Sequence, residues 1–180
     1  MRFALTRCAL AASLSVLAMQ AGATALTYGQ TIDVPVNQSL ALPPNADASE
    51  RAVQAVAERV ALLMAAMAAK DVDAMAPLYV NSPDAMYFSG GENWKTRGTE
   101  RFLRTQVACL GAVGEMEVLP YDMQMQFLDD VMITTLTGQN HLPLGGDRIA
   151  RTSWRWSLVF RRSGDSDWLI AHEHFSFKEE

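Results

Sequence analysis

Tyr121-Asp122-Met123-Gln124-Met125-Gln126-Phe127 alternates apolar and polar side chains residue by residue. Successive side chains of a strand point to opposite faces, so this is the pattern of a half-buried strand with its aromatic and methionine side chains on one face. Asp129-Asp130 turns the chain, and Val131 to Thr137, rich in β-branched residues, predicts a second strand. Gly145-Gly146-Asp147 leads into a third, Arg148 to Arg161, and Ser163-Gly164-Asp165 into a last one, Trp168 to Phe177. Strands joined by turns this short pair antiparallel, and the C-terminal half reads as a meander.

Upstream of the meander the period changes. Val53, Val56, Val60, Leu63, Met64 and Met67 recur at three- and four-residue steps, the apolar stripe of a helix. Asp47 with Glu50 three residues on has the form of a capping box, which starts that helix and carries it to about Ala69. Asp71 caps a second, short helix through Met75, which Pro77 and Leu78-Tyr79 bring to an end. Ala85-Met86-Tyr87-Phe88 predicts a short strand before Gly90-Gly91. Thr99 is the expected cap of a third helix with Leu103, Val107 and Leu110 on its core face, stopped by Gly111 and Gly114. Helices first and a meander afterwards predict an α+β domain, with the helices on one face of a curved sheet.

The chain starts differently. Arg2 and Arg7 flank the beginning of an apolar run from Cys8 to Met19, and Ala21-Gly22-Ala23 follows. A positive start, a short apolar region and a small-x-small site predict a secretory signal peptide over 1–23, cleaved after Ala23 or Ala25, and a periplasmic or secreted protein. The run is shorter than the roughly 20 apolar residues that cross a bilayer and is broken by Ser13 and Ser15, so no membrane association is expected after cleavage. Residues 24–46, with Pro35, Pro43 and Pro44, read as an extended arm or linker with a short strand around Ile32–Val36, and 47–180 as the domain. Losing Arg2 and Arg7 takes the formal net charge from −5 to −7, a field that repels phosphate backbones; nucleic acid is not an expected partner. Cleavage leaves Cys109 as the only cysteine, so no internal disulfide forms and the fold stands on its core, for which 49% apolar residues suffice.

The order of elements resembles the NTF2-like superfamily, specifically its SnoaL-like branch, which includes ketosteroid-isomerase homologues. The resemblance covers about Arg51 to Phe177. It rests on Ala69-Lys70-Asp71-Val72-Asp73-Ala74-Met75 between two helices, Gly98-Thr99-Glu100-Arg101-Phe102 opening the third, Leu128-Asp129-Asp130-Val131 at a hairpin, and Trp168-Leu169-Ile170-Ala171-His172-Glu173-His174-Phe175-Ser176 at the end. It implies a cone-shaped, curved antiparallel sheet with the N-terminal helices on its concave face, a small-molecule pocket between them, and commonly a homodimer. It does not imply a reaction, because one such fold hosts many functions.

The strongest polar cluster is His172-Glu173-His174. Strict alternation places His172, His174 and Ser176 on one face with Trp168 and Ile170, and Glu173 on the other with Leu169, Ala171 and Phe175. Two imidazoles on one surface could move protons near pH 7, or one could bond a neighbouring strand while the other meets solvent. His174 and His172 are the catalytic candidates, His174 first because the resemblance implies that this histidine and the following Ser are kept. Tyr79, Tyr87 and Trp94 are ligand-binding candidates, from the segment that forms the pocket mouth in resembling proteins. Arg151 on the long third strand is another, as a carboxylate clamp or else a solvated cation. Trp154 and Trp156 share the opposite face of that strand and suit a core or a dimer interface.

His141 would complete three imidazoles, but it reads as a loop residue, and no HExxH helix or cysteine pair accompanies it; no metal site is predicted. Without a Gly-rich phosphate loop, a Ser-centred elbow or a reactive-Cys motif, no cofactor is expected either. The paired acids and catalytic tyrosine of ketosteroid isomerases find no matching positions. Three readings follow: an exported binder of a small, partly apolar molecule; a cofactor-free isomerase, dehydratase or cyclase with His174 as general base; or a non-catalytic dimerisation module.

Overall fold

The computed structural model describes residues 29–34, 46–90, 95–145, 148–164 and 167–177. In chain order these form β1 (Thr31–Asp33), α1 (Ala48–Ala69), α2 (Val72–Met75), β2 (Met86–Ser89), β3 (Lys95–Arg97), α3 (Thr99–Ala112), β4 (Glu117–Leu128), β5 (Val131–Pro143), β6 (Ile149–Ser163) and β7 (Asp167–Phe177). The leading segment 1–23, with its expected signal peptide, and most of the expected arm lie outside the described residues.

The strands make one sheet in the order β1-β4-β5-β6-β7-β2-β3. Strands β4 to β7 are the antiparallel meander expected from the alternation and turns. The sheet is mixed rather than wholly antiparallel, because β2 runs parallel to β7, Met86 beside His172 and Ser89 beside Phe175. β2 is laid down before the meander and is joined to β7 only through it, so no tight turn dictates its direction.

The capping box that opens α1 is complete. The Asp47 carboxylate accepts from the Ser49 and Glu50 backbone N–H groups, and Glu50 accepts from the Asp47 N–H at 2.8 Å. The predicted stripe is buried on the sheet except for half-buried Met64, where α1 packs on β4 and β7. By length and composition α1 could cross a bilayer, yet Val56 and Leu63 are 0% exposed within the core.

α3 is rotated from its expected phase. Gly98, not Thr99, is the N-cap, and the buried stripe is Thr99, Phe102, Gln106 and Leu110, with Val107 58% exposed. The cause is local: the Gly98 N–H bonds the Ala85 carbonyl, and a φ of +90° brings its backbone against Pro83, where a Cβ would sit 3.2 Å from the carbonyl oxygen. This anchor turns Phe102 inward onto Tyr79 and Tyr87, at ring distances of 5.4 and 4.4 Å.

Tyr121 also leaves its predicted face. The β4–β5 register shifts between Pro120 and Asp122, and the bulge turns Tyr121 out to 59% exposure while Met123 and Met125 stay inside. Trp154 and Trp156, each 3% exposed, belong to the core on the helix-covered face, so neither is available as an interface.

Gly138 decides how Trp154 packs. A Cβ at that position would lie 2.3 Å from Trp154 Cζ2 and 2.4 Å from the Leu119 carbonyl oxygen. Overpacking of a core costs about 1–3 kcal/mol, and here one of the obstacles is backbone. Gly138→Ala should therefore lower the urea midpoint by at least that equivalent, whereas Gly114→Ala, with open space around it, should leave the midpoint nearly unchanged.

Candidate functional site

Strand β7 changes phase in its middle. Phe160 pairs with Ile170 and Val159 with His172, which leaves Ala171 unpaired. One extra residue in a strand moves everything beyond it to the opposite face. Trp168 and Ile170 point into the core before the bulge; after it Glu173 and Phe175 face the helices beside Leu158 and Trp156 of β6, and Phe177, 46% exposed, follows on the same face beside Trp154.

These residues form one wall of a cavity of about 310 Å³ between the sheet and the helices. Met67 and Met75 come from α1 and α2, Cys109 and Leu110 from α3, and Trp156 and Phe175 from the sheet. Glu173, only 2% exposed, is the carboxyl within this otherwise largely apolar wall.

Tyr79 reaches the same place from the other side. Pro77 sits in a single 3-10 turn, Ala76–Leu78, after which Tyr79 bridges to Ile170 and the Val80 N–H bonds the Ile170 carbonyl at 3.0 Å. The chain is thereby tied to β7 just before the bulge, and the Tyr79 hydroxyl donates to Glu173 Oε2 at 2.7 Å.

Burial pushes the Glu173 carboxyl up from an ordinary value near 4.5 to about 8, against the opposing pull of the Tyr79 hydroxyl and the Trp156 indole N–H. That indole N–H favours the ionised acid without forming a hydrogen bond to it, and among the described residues it is a buried donor without a partner. The Tyr79 phenol is held well above its usual range, first by burial and then by the neighbouring acid. A carboxyl and a phenol that both stay neutral at pH 7 can anchor a polar group of a ligand or exchange a proton with it.

The model of the SnoaL-like domain matches residues 56–179 of this sequence. The chain belongs to the SnoaL-like family. Solved structures agree on the fold. An NTF2-like superfamily protein from Salmonella enterica superimposes with a TM-score of 0.62 at 14% identity, over 74% of this chain and 95% of that one. A candidate dehydratase of the NTF2-like family from Streptomyces avermitilis gives 0.60 at 18%, over 69% and 95%. A candidate ketosteroid isomerase from Shewanella frigidimarina gives 0.57 at 17%, over 69% and 97%. Identities this low establish the NTF2-like fold alone. Among curated proteins, none matches the sequence.

Within this SnoaL-like domain the residues singled out from sequence separate. Tyr79 lines the cavity. Tyr87 lies in the core instead, 0% exposed, stacked on Phe102 with its hydroxyl 3.0 Å from Thr99 Oγ1. Thr99 already donates to the Val80 carbonyl at 2.6 Å, so Tyr87 is the donor of the pair. Burial is the first cause that raises the Tyr87 phenol. Trp94 lies outside the described residues. Arg151 is exposed on the outer face of the sheet, level with His141, which belongs to β5 rather than to a loop.

His172 and His174 are turned out of the cavity by the Ala171 bulge. The His172 ring nitrogen Nδ1 is 2.7 Å from the Met86 carbonyl oxygen, which can only accept, so Nδ1 carries the proton. His174 is exposed, with its ring 5.6 Å from Phe88. Glu173, assigned by alternation to the face away from the histidines' expected pocket, is the residue that enters one. A signal for this exists in the sequence: the large apolar side chains of β7 fall on even positions at Trp168 and Ile170 and on odd ones at Phe175 and Phe177.

A raised carboxyl pKa means that the folded state holds its proton more tightly than the unfolded chain. Stability should then be full below about pH 4.5 and fall as pH rises towards about 8, at no more than roughly 1.4 kcal/mol per pH unit. Urea unfolding of Glu173→Gln across this range should lack that slope. Parallel pH profiles for the variant and the parent would show that Glu173 ionises normally in the folded protein.

Proposed function

We propose that this SnoaL-like domain binds a small, neutral, largely apolar molecule in the cavity, with the Glu173 carboxyl as its polar anchor. The observation that carries the reading is a carboxyl buried in a largely apolar cavity with, among the described residues, a phenol as its one hydrogen-bonded side-chain partner. Burying such a group is costly, and it is most readily understood where a ligand or a reaction uses it. The volume of about 310 Å³ lies at the lower end of small-molecule sites. The leading segment supports a location outside the cytoplasm, in the periplasm or medium. Pairing of two copies belongs to the same proposal and rests on the fold, since Trp154 and Trp156 are buried.

A second reading is favoured by the same acid. A carboxyl with a pKa of about 8 is matched to abstracting and returning a proton near neutral pH, the chemistry of a cofactor-free isomerase or dehydratase. In that reading Glu173 takes the place that the sequence alone offered to His174. The candidate dehydratase and candidate ketosteroid isomerase among the fold neighbours lend support to it.

Native mass spectrometry of protein recovered from the periplasm tests both. A small-molecule adduct should be present, weakened less than about tenfold by Glu173→Gln, which keeps a hydrogen-bonding side chain of the same shape. It should be lost in Ala112→Trp, which fills the cavity from its exposed rim. If Ala112→Trp bound apolar naphthalenes as well as the parent, the cavity would not be the site. Proton-transfer chemistry adds one requirement: deuterium should enter the carbon beside the carbonyl of a bound ketone, and Glu173→Gln should stop it.

A further inference from the structure

We propose that the cavity selects neutral molecules that carry hydrogen-bond acceptors at two separated positions, and that Trp156 and Asn140 make the selection. The proposal rests on the binding reading above and specifies the ligand's chemistry.

Both residues line the cavity and are more than nine-tenths buried, Trp156 at 3% and Asn140 at 7% exposure. An indole nitrogen can only donate, and among the described residues the N–H of Trp156 forms no hydrogen bond, with the Glu173 carboxyl as its nearby acceptor. Buried donors in native proteins nearly always find an acceptor, and because Trp156 belongs to the cavity wall the acceptor can come with what fills the cavity.

Asn140 is oriented by a neighbour. Trp154 Nε1–H donates to its Oδ1 at 2.9 Å, and because the indole has no acceptor, the oxygen must be the atom that faces it. No described residue accepts from the amide nitrogen, and Asn140 is part of the cavity wall. Trp154 thus fixes Asn140 as a donor.

The remaining wall agrees. The neutral Glu173–Tyr79 pair carries two protons and uses one between its oxygens, which leaves the other for an outside acceptor. No Lys, Arg or His is among the described lining residues, so no positive charge there would offset that of an anion. Trp156 and Thr152, the strand partner of Asn140, lie four positions apart on β6, roughly 13 Å along the strand. Phe175 and Phe177 line the cavity as well. The fitting ligand has an apolar middle with a ketone, ester or ether oxygen towards each end. A hydroxyl or amine would bring a further proton, for which the lining acceptors are Gln106 and Ser89, already joined to each other at 3.4 Å.

Three probes on one skeleton decide the matter: 2,6-diacetylnaphthalene, the corresponding bis(1-hydroxyethyl) diol, and 2,6-diethylnaphthalene. Fluorescence titration of the mature protein should give the diketone the tightest binding, about five- to tenfold or more ahead of the diol, the weight of one hydrogen bond. Trp156→Phe, which keeps a ring and removes the N–H, should cut diketone affinity by a similar factor and leave diethylnaphthalene unchanged. A second measurement needs no variant: the Trp156 indole proton resonance should move on adding diketone and stay with diethylnaphthalene. A diol that binds as tightly as the diketone would overturn the proposal. So would an unchanged diketone-to-hydrocarbon ratio in Trp156→Phe with an unmoved indole resonance, which would mean that the N–H serves Glu173 alone. If none of the three binds, diethylnaphthalene included, the binding reading fails with it; if only the hydrocarbon's affinity survives scrutiny, the cavity binds but does not select.

Discussion

Between Ile170 and His172 the pairing of β7 with β6 skips one residue, and the polar character of the cavity depends on that skip. Without it, the alternation begun by Trp168 and Ile170 would continue through His172 and His174, and the concave face would carry two imidazoles. With Ala171 unpaired, an acid followed by two phenylalanines faces the helices, while the imidazoles lie on the outer side next to Phe88 of β2. Bulges commonly re-aim side chains next to functional sites, and this one replaces a pair of imidazoles by an acid whose pKa burial raises.

Burial then does to Glu173 what a neighbouring anion could have done. Removed from water, the carboxylate is disfavoured relative to the acid, and Tyr79 and the indole of Trp156 oppose the effect. Tyr79 can oppose it because its backbone is tied to Ile170, immediately before the bulge. The device that turns Glu173 inward and the bridge that holds Tyr79 beside it therefore sit on adjacent residues of one strand. A phenol and a carboxyl separated by 94 positions in sequence meet through a contact of backbone geometry.

Where periodicity alone decides structure, the sequence was readable. The stripe of α1, its capping box and the four-strand meander follow from repeats of 3.6 and 2 that long segments impose without ambiguity. Apart from β5, which runs on through His141 where a loop is expected, the departures of face occur where a contact resets a phase. Gly98 bonded to Ala85 rotates α3 so that Phe102 and Gln106, not Val107, face inward. The extra residue at Tyr121 turns one aromatic to solvent, and the extra residue at Ala171 exchanges the faces of the histidines and the acid. Tyr79 was singled out from sequence, but its partner was not, because alternation through a bulge gives the wrong face for every residue after it. The direction of β2 was beyond local reading for a related reason: its partner lies at the far end of the chain.

The other end of the cavity depends on an absence. Gly138 pairs with Trp154 across β5 and β6, and only a residue without a Cβ leaves room for the indole there. The indole in turn donates to Asn140, two residues along the same strand as the glycine, and thereby chooses which end of the amide is free. Placing any side chain at Gly138 would displace the ring, and with it the orientation of Asn140, even though Gly138 itself is not among the cavity-lining residues. Packing and polarity are thus not separate layers in this domain: the fit of one ring against a backbone specifies a hydrogen-bond donor several ångströms away, just as one unpaired residue in β7 specifies the acid.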